Sequence, residues 1–184
     1  MVEPGGATRT TAQFVLRPDF PNVFVTDEDG RDLYWIRSGI ADHLGLWSLR
    51  DLTGRELLSV QLHRSWPLPT CGVYRAGQRF ATVRELAEGP AARWLAAVRA
   101  IVAGTPAKLH YSVETTGGGR LEVAGEPDAI EYHFTRAGRH AATVGMQWLS
   151  WASTLGLTLR VADGEDAVLL LAVTTMIESS WGRL

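Results

Sequence analysis

The sequence predicts a mainly β protein, a closed antiparallel barrel of twelve strands around a buried hydrophobic C-terminal helix. Three observations support this. Turn signals containing glycine recur along the chain, and short runs of β-branched and aromatic residues flank them, as in hairpins. One C-terminal run is apolar nearly all round. The chain also has two halves of similar plan, and joining two half-barrels into one sheet removes exposed sheet edges.

The predicted strands alternate with turn signals along the whole chain. The signals are Asp29-Gly30, Thr53-Gly54, Ala76-Gly77, Gly117-Gly118-Gly119, Gly125, Ala137-Gly138 and Asp163-Gly164. The strands are predicted at 12–17, 22–26, 32–37, 46–51, 55–62, 70–75, 79–84, 108–115, 119–125, 129–136, 139–147 and 155–162. Apolar and polar side chains alternate in several of them, for example in 32–37, as expected when one face lies in a core and the other in water.

Two segments are predicted as helices. At 90–103, Pro90 stands near the first turn, apolar side chains recur at helical spacing, and Gly104 follows, which together indicate an amphipathic helix between the two halves. At 166–181 the run is apolar on every side, and Asp166 is a suitable N-cap. Because this run is too short to span a bilayer, we expect the sheet to enclose it.

An internal duplication is predicted at an offset of about 85 residues, which is too long for a solenoid repeat. The matched positions are Ser65-Trp66 with Ser150-Trp151, Arg75 with Arg160, and Gly54-Arg55 with Gly138-Arg139. The predicted repeats run from about 46–103 and from about 130–181. They form one domain, 12–184, after a flexible leader at 1–11.

Three strings carry a resemblance to a known family: LWSLRDLTGRELLSVQL, EYHFTRAGRHAATV and WLSWASTLGLTLRVADGEDAVLLLAV. They resemble the LURP-one-related family of the Tubby C-terminal-like superfamily, which also contains the phospholipid scramblases. The resemblance covers roughly 20–180 and implies a closed barrel wound around a hydrophobic C-terminal helix. The chain departs from the scramblases, since it has neither their cysteine-rich acylation segment nor their acidic calcium loop.

Composition excludes several classes of protein. With 46% hydrophobic and 21% charged residues, the chain is neither disordered nor a coiled coil. A net charge of −2 and a pI near 6.2 argue against a nucleic-acid binder. The single cysteine, Cys71, cannot form an internal disulfide, so a cytoplasmic location is expected. No signal peptide or membrane-spanning run is found, the longest apolar run being Ala167 to Val173.

Catalytic motifs are absent from the sequence, which has no nucleophile elbow, no phosphate-binding loop and no His-Glu-x-x-His. We therefore expect a protein that is not an enzyme and carries no metal or other cofactor. The alternative is a metal-assisted enzyme, in which Glu131 and His133 share one face of a strand and His140 lies across the following turn. A solvated polar strand face gives the same pattern. A barrel that binds a small ligand is a further alternative, although a central helix leaves it little volume.

Arginines are concentrated in two segments that contain no acidic residue. Between Glu56 and Glu85 lie Arg64, Arg75, Arg79 and Arg84, and between Glu131 and Asp163 lie Arg136, Arg139 and Arg160. Guanidinium groups match phosphate geometry, so these seven side chains are the predicted binding site for an anionic ligand. Solvated strand faces are the alternative.

The expected partner is an anionic lipid headgroup, or a protein at a membrane surface, and the protein would then be peripheral to that membrane. A tryptophan exposed beside an arginine would suit a membrane interface. The sequence itself favours core positions for Trp66, Trp148 and Trp151, which follow the aromatic pattern at strand ends.

Overall fold

A computed structural model of the chain describes residues 10–19, 22–38, 46–63, 70–86, 109–125, 131–149 and 154–180. The predicted helix at 90–103 and most of the predicted leader lie outside these residues. The described residues form twelve strands and one helix, which in chain order are β1 (Thr10–Asp19), β2 (Asn22–Thr26), β3 (Asp32–Ser38), β4 (Leu46–Asp51), β5 (Glu56–His63), β6 (Thr70–Arg75), β7 (Gln78–Glu85), β8 (Leu109–Thr115), β9 (Arg120–Gly125), β10 (Glu131–Arg136), β11 (Arg139–Leu149), β12 (Thr154–Ala162) and α1 (Ala167–Ser180).

The twelve strands form one closed barrel. Each strand pairs antiparallel with its neighbours in the chain, and the pairing of β1 with β12 closes the sheet. The predicted fold class, a mainly β protein with a closed antiparallel twelve-stranded barrel, is confirmed. Each predicted strand agrees with the observed one to within two residues at both ends.

Five short turns of the barrel lie at one end, which we call the turn end. Successive strands alternate in direction, so the turns after β2, β4, β6, β8 and β10 share this end with the link from β12 to α1. Glycines with positive φ occupy the predicted turns, among them Gly54 at 87° and Gly138 at 76°. The predicted signal at Gly125 instead falls at the last residue of β9.

Two hairpins have the same turn and the same local sequence. Arg75-Ala76-Gly77 and Arg136-Ala137-Gly138 each place both central residues at positive φ, with 50° at Ala76 and 48° at Ala137. The register of each hairpin shifts in the strand pair beside its turn. The hairpin β6–β7 therefore resembles the hairpin β10–β11. These hairpins are not the segments that the predicted offset of about 85 residues matches, and the duplication at that offset stays a prediction.

Apolar side chains on alternate strand positions form the core, among them Val73, Val113, Val123 and Phe134. In α1, every side chain from Leu169 to Glu178 is buried, and the helix contacts β5 and β12. Asp166 caps the helix as predicted, because its Oδ1 accepts the Leu169 N–H at 3.0 Å. Within the described part of the chain, no helix combines the length and the apolar composition needed to cross a bilayer.

Cys71 points into this core, and burial raises the pKa of its thiol to about 11. The unfolded thiol ionises near its ordinary pKa of 9.0, so between these values the unfolded state loses a proton that the folded state keeps. Stability therefore falls as pH rises through this range. We expect wild type to lose about 2 kcal/mol of unfolding free energy relative to Cys71→Ala between pH 8 and about pH 10.5.

Urea denaturation of both proteins under reducing conditions at the two pH values measures this difference. Groups that titrate in both proteins cancel in the comparison. A difference between wild type and Cys71→Ala that does not change with pH would show that the thiol ionises equally in the folded and unfolded states.

Candidate functional site

Six of the seven predicted arginines lie among the described residues, and the structure distributes them over three places. Arg64 lies outside the described residues. Arg75 and Arg136 are at the turn end, where Arg139 stands directly opposite Arg136 across the turn. The register of β7 on β6, which shifts by one residue beside Arg79, places Arg79 and Arg84 on the outer face of β7. Strand alternation places Arg160 on the outer face of β12.

Arg75 and Arg136 bind the acidic link that leads into α1. Arg136 Nε donates to both carboxylate oxygens of Glu165, at 3.1 and 3.0 Å, and its Nη2 lies 2.9 Å from Oε2. Arg75 Nη2 lies 2.7 Å from Oδ2 of Asp166. The two matched hairpins thus fix the start of the helix from two sides. The guanidinium groups of Arg75 and Arg136 are engaged by the chain's own carboxylates.

Gly119, in the turn between β8 and β9, leaves the space that Arg136 occupies. A Cβ at this position would lie 2.8 Å from Nη1 of Arg136 and 2.9 Å from Oγ1 of Thr115, closer than ordinary contacts. The glycine triplet that the sequence marks as a loose turn therefore has a specific packing role here.

Arg79 belongs to a polar group on the outer face of β5–β7. The Tyr74 hydroxyl lies 2.9 Å from His63 Nε2, and it accepts a long hydrogen bond of 3.4 Å from Arg79 Nη2. Gly72 allows the ring to lie across the sheet, because a Cβ there would be 2.7 Å from Tyr74 Cε2. Arg84 is exposed farther along β7.

Glu131, His133 and His140, the residues of the enzyme alternative, come together on the outer face of β10–β11. His133 Nε2 lies 3.4 Å from Oε1 of Glu131. Both imidazoles contact one hydroxyl, since Thr143 Oγ1 is 3.2 Å from His133 Nδ1 and 2.7 Å from His140 Nε2. We call His133, His140 and Thr143 the His–Thr cluster.

Thr143 is the member of this cluster that the sequence analysis missed. The turn at Ala137-Gly138 sets the strand register, and counting back from it, with one bulge, places Thr143 opposite His133. Among the described residues, no three His, Cys, Asp or Glu side chains form a group that could hold a metal ion. The hydroxyl, rather than a third such ligand, lies between the two rings.

Arg160 reaches along the outer face toward the end of β11 that is remote from the turns. Its Nη2 donates to Oε1 of Gln147 at 3.2 Å, and the Gln13 amide donates to the same oxygen at 3.4 Å. On either side of Gln147 in the chain, Met146 is 41% exposed and Trp148 is 62% exposed. We call Met146, Gln147, Trp148 and Arg160 the β11 end site.

The core position expected for Trp148 is wrong. By alternation Trp148 lies on the same side of β11 as Ala142 and Val144, which are fully buried. It stands one residue before the end of the strand, where the sheet no longer covers it. The pattern of alternation gives the side of the sheet, but burial also depends on how far along the strand the core extends.

Comparisons with family models, with curated proteins and with solved structures found no match to this chain.

Proposed function

We propose that this protein is a non-enzymatic β-barrel that binds the surface of an anionic membrane through the β11 end site. The observation that carries the proposal is the exposure of Met146 and Trp148 on either side of Gln147, the residue to which Arg160 donates. Tryptophan favours the boundary between lipid and water, and arginine attracts anionic headgroups. The cytoplasmic face of a membrane, which carries anionic lipid, is the proposed location.

Binding through this site would be peripheral and reversible. Each basic side chain near an anionic leaflet contributes about 1 kcal/mol, and salt screens this attraction. Trp148 and Met146 add the transfer of their exposed apolar surface out of water. Arg79 and Arg84, on the outer face of β7, are further cations, but they lie on a different side of the barrel.

The proposal includes a barrel interior filled by α1, as in the LURP-one-related fold that the sequence resembles. The buried side chains from Leu169 to Glu178 support this arrangement. An interior occupied by a helix leaves little volume for a ligand. Membrane binding by the β11 end site is therefore preferred here to the alternative of a small-ligand barrel.

Vesicle co-sedimentation tests the proposal. Wild type should bind vesicles of phosphatidylcholine with phosphatidylserine more strongly than vesicles of phosphatidylcholine alone, and added salt should reduce the difference. Met146→Ala/Trp148→Ala should lower binding to both kinds of vesicle. Arg160→Gln should lower binding to the anionic vesicles about fivefold, the effect of one basic residue.

Two matched variants serve as controls. Leu52 is 61% exposed at the turn end, and Arg120 is exposed on β9 beside Glu122, so Leu52→Ala and Arg120→Gln change the same chemistry away from the site. Both should bind as wild type does. Equal binding by wild type and Met146→Ala/Trp148→Ala, or an equal loss in Leu52→Ala, would refute membrane binding by this surface.

A further inference from the structure

We infer that the His–Thr cluster and Arg160 form a binding site for a phosphate group, and that the site gains affinity as its histidines become protonated. Three adjacent strands bring the groups together. His133 on β10 stands opposite Thr143 on β11, and Thr143 stands opposite Arg160 on β12. Side chains directly opposite each other on one face are neighbours, so His133, Thr143 and Arg160 occupy adjacent positions on the outer surface, with the guanidinium extending along it to Gln147.

Arg160 has donors available for an anion. A guanidinium carries five N–H donors, and among the described residues Arg160 donates one hydrogen bond, to the neutral amide of Gln147. No carboxylate in the described part of the chain forms an ion pair with it. In Arg75 and Arg136, by contrast, carboxylates already occupy the guanidinium. Arg160 is thus the predicted arginine of the second segment that stands opposite Thr143, and no described carboxylate neutralises it.

With both imidazoles neutral, the hydroxyl of Thr143 has no hydrogen for a ligand. A single chain of hydrogen bonds joins the three side chains: His140 Nε2–H donates to Thr143, and Thr143 donates to His133 Nδ1, while His133 Nε2 faces Glu131 Oε1 at 3.4 Å. In this state the hydroxyl hydrogen points at His133.

Protonation of both rings changes what the hydroxyl can do. Both ring nitrogens that face Thr143 are then N–H donors, and the oxygen accepts from both with its two lone pairs. The hydroxyl hydrogen is released and can donate to an oxyanion on the outer surface. At the same time two positive charges join that of Arg160. Histidine is the side chain that changes charge in the range of about pH 5 to 8, so the coupling falls at accessible pH.

Charged groups around the cluster contribute to the net charge of the site. Glu131 faces His133, with Oε1 3.4 Å from Nε2, and Arg160 stands opposite Thr143 on the neighbouring strand. On β9, Glu122 stands opposite Thr135, the cross-strand neighbour of His140, and Glu122 is paired with Arg120 at 3.2 Å. Arg139 precedes His140 in the chain at the turn. With both rings protonated, these groups and Arg160 leave the site net positive, as a phosphate group requires.

A titration with inorganic phosphate, followed by NMR of the histidine ring protons, tests the site without any membrane. We expect the signals of His133 and His140 to shift at about pH 6, and the affinity to be about tenfold lower at about pH 8. His133→Asn and His140→Asn assign the two signals and remove the pH dependence. Arg160→Gln should weaken binding about tenfold or more, as expected for hydrogen bonds to a charged group.

Thr143→Val keeps the side-chain shape but removes the hydroxyl, and it should weaken phosphate binding about fivefold. Arg55→Gln is the matched control, at a side chain that is 76% exposed in the turn between β4 and β5, and it should bind phosphate as wild type does. Vesicles of phosphatidylcholine with phosphatidic acid form a second arm. Binding to them that Thr143→Val reduces, with no response to inorganic phosphate, would identify a lipid phosphate as the ligand and support the site.

The inference is overturned if neither phosphate source perturbs the two histidines, or if Thr143→Val and Arg160→Gln respond as wild type does. This outcome is independent of the proposed membrane function, because Met146→Ala/Trp148→Ala leaves the His–Thr cluster intact. That variant should lose vesicle binding and still respond to inorganic phosphate.

Discussion

Leu170→Asp is expected to lower the free energy of unfolding by at least about 4 kcal/mol, which is a large part of the stability of about 5–15 kcal/mol of a typical domain. Leu170 has no exposed surface, and its neighbours in α1 are equally buried. A carboxylate there would lose its hydration without gaining a partner. Urea denaturation, together with the yield of soluble protein, measures the effect.

Leu52→Asp is the matched control for this prediction. It makes the same chemical change at a side chain that is 61% exposed in the turn between β4 and β5. We expect its unfolding free energy to stay within about 0.5 kcal/mol of wild type. A Leu170→Asp protein that unfolds cooperatively with the stability of wild type would refute the enclosure of α1 by the sheet.

Arg136→Gln is expected to cost about 3 kcal/mol, the second largest effect, because it leaves the carboxylate of Glu165 without its partner. The Glu165 side chain is only 16% exposed, and three of the short contacts at the start of the helix involve this pair. A double-mutant cycle with Glu165→Gln separates the pair energy from the effect of each change alone. We expect the double variant to be more stable than the sum of the single changes predicts.

Arg120 and Glu122 provide the exposed counterpart, with side chains 54% and 51% exposed. The same cycle there should give less than about 0.5 kcal/mol, as for other surface ion pairs. The prediction is contradicted if the effects of the changes at Arg136 and Glu165 on unfolding free energy simply add. It is also contradicted if the Arg136–Glu165 and Arg120–Glu122 pairs give equal coupling energies.

Much of the barrel follows from local patterns in the sequence. Turns such as Asp29-Gly30 and Ala137-Gly138 need positive φ, and the runs between them alternate, so each hairpin is specified by residues close together in the chain. The cap of α1 at Asp166 is equally local. These features depend on short segments, and the sequence analysis located them to within a few residues.

The candidate site was less predictable, because the spacing of the arginines along the chain does not give their positions in space. Arg75 lies on the same side of β6 as the buried Val73. At the turn end this position brings its guanidinium to Asp166, in the acidic link before α1, which is far from Arg75 in sequence. Arg79, four residues later, lies on the outer face. A contact between β6 and the link after β12 has no signature in either segment alone.

The order of the strands also has a consequence for how the chain folds. Every strand pairs with its predecessor, so most of the sheet forms between neighbours in the chain, and the pairing of β1 with β12 is the one closure between distant segments. β12 and α1 are the last described segments to leave the ribosome. Until they emerge, a nascent chain has an open sheet with an uncovered apolar face and two free edges. This protein is therefore most exposed to aggregation, and most in need of a chaperone, in the interval before β12 and α1 emerge.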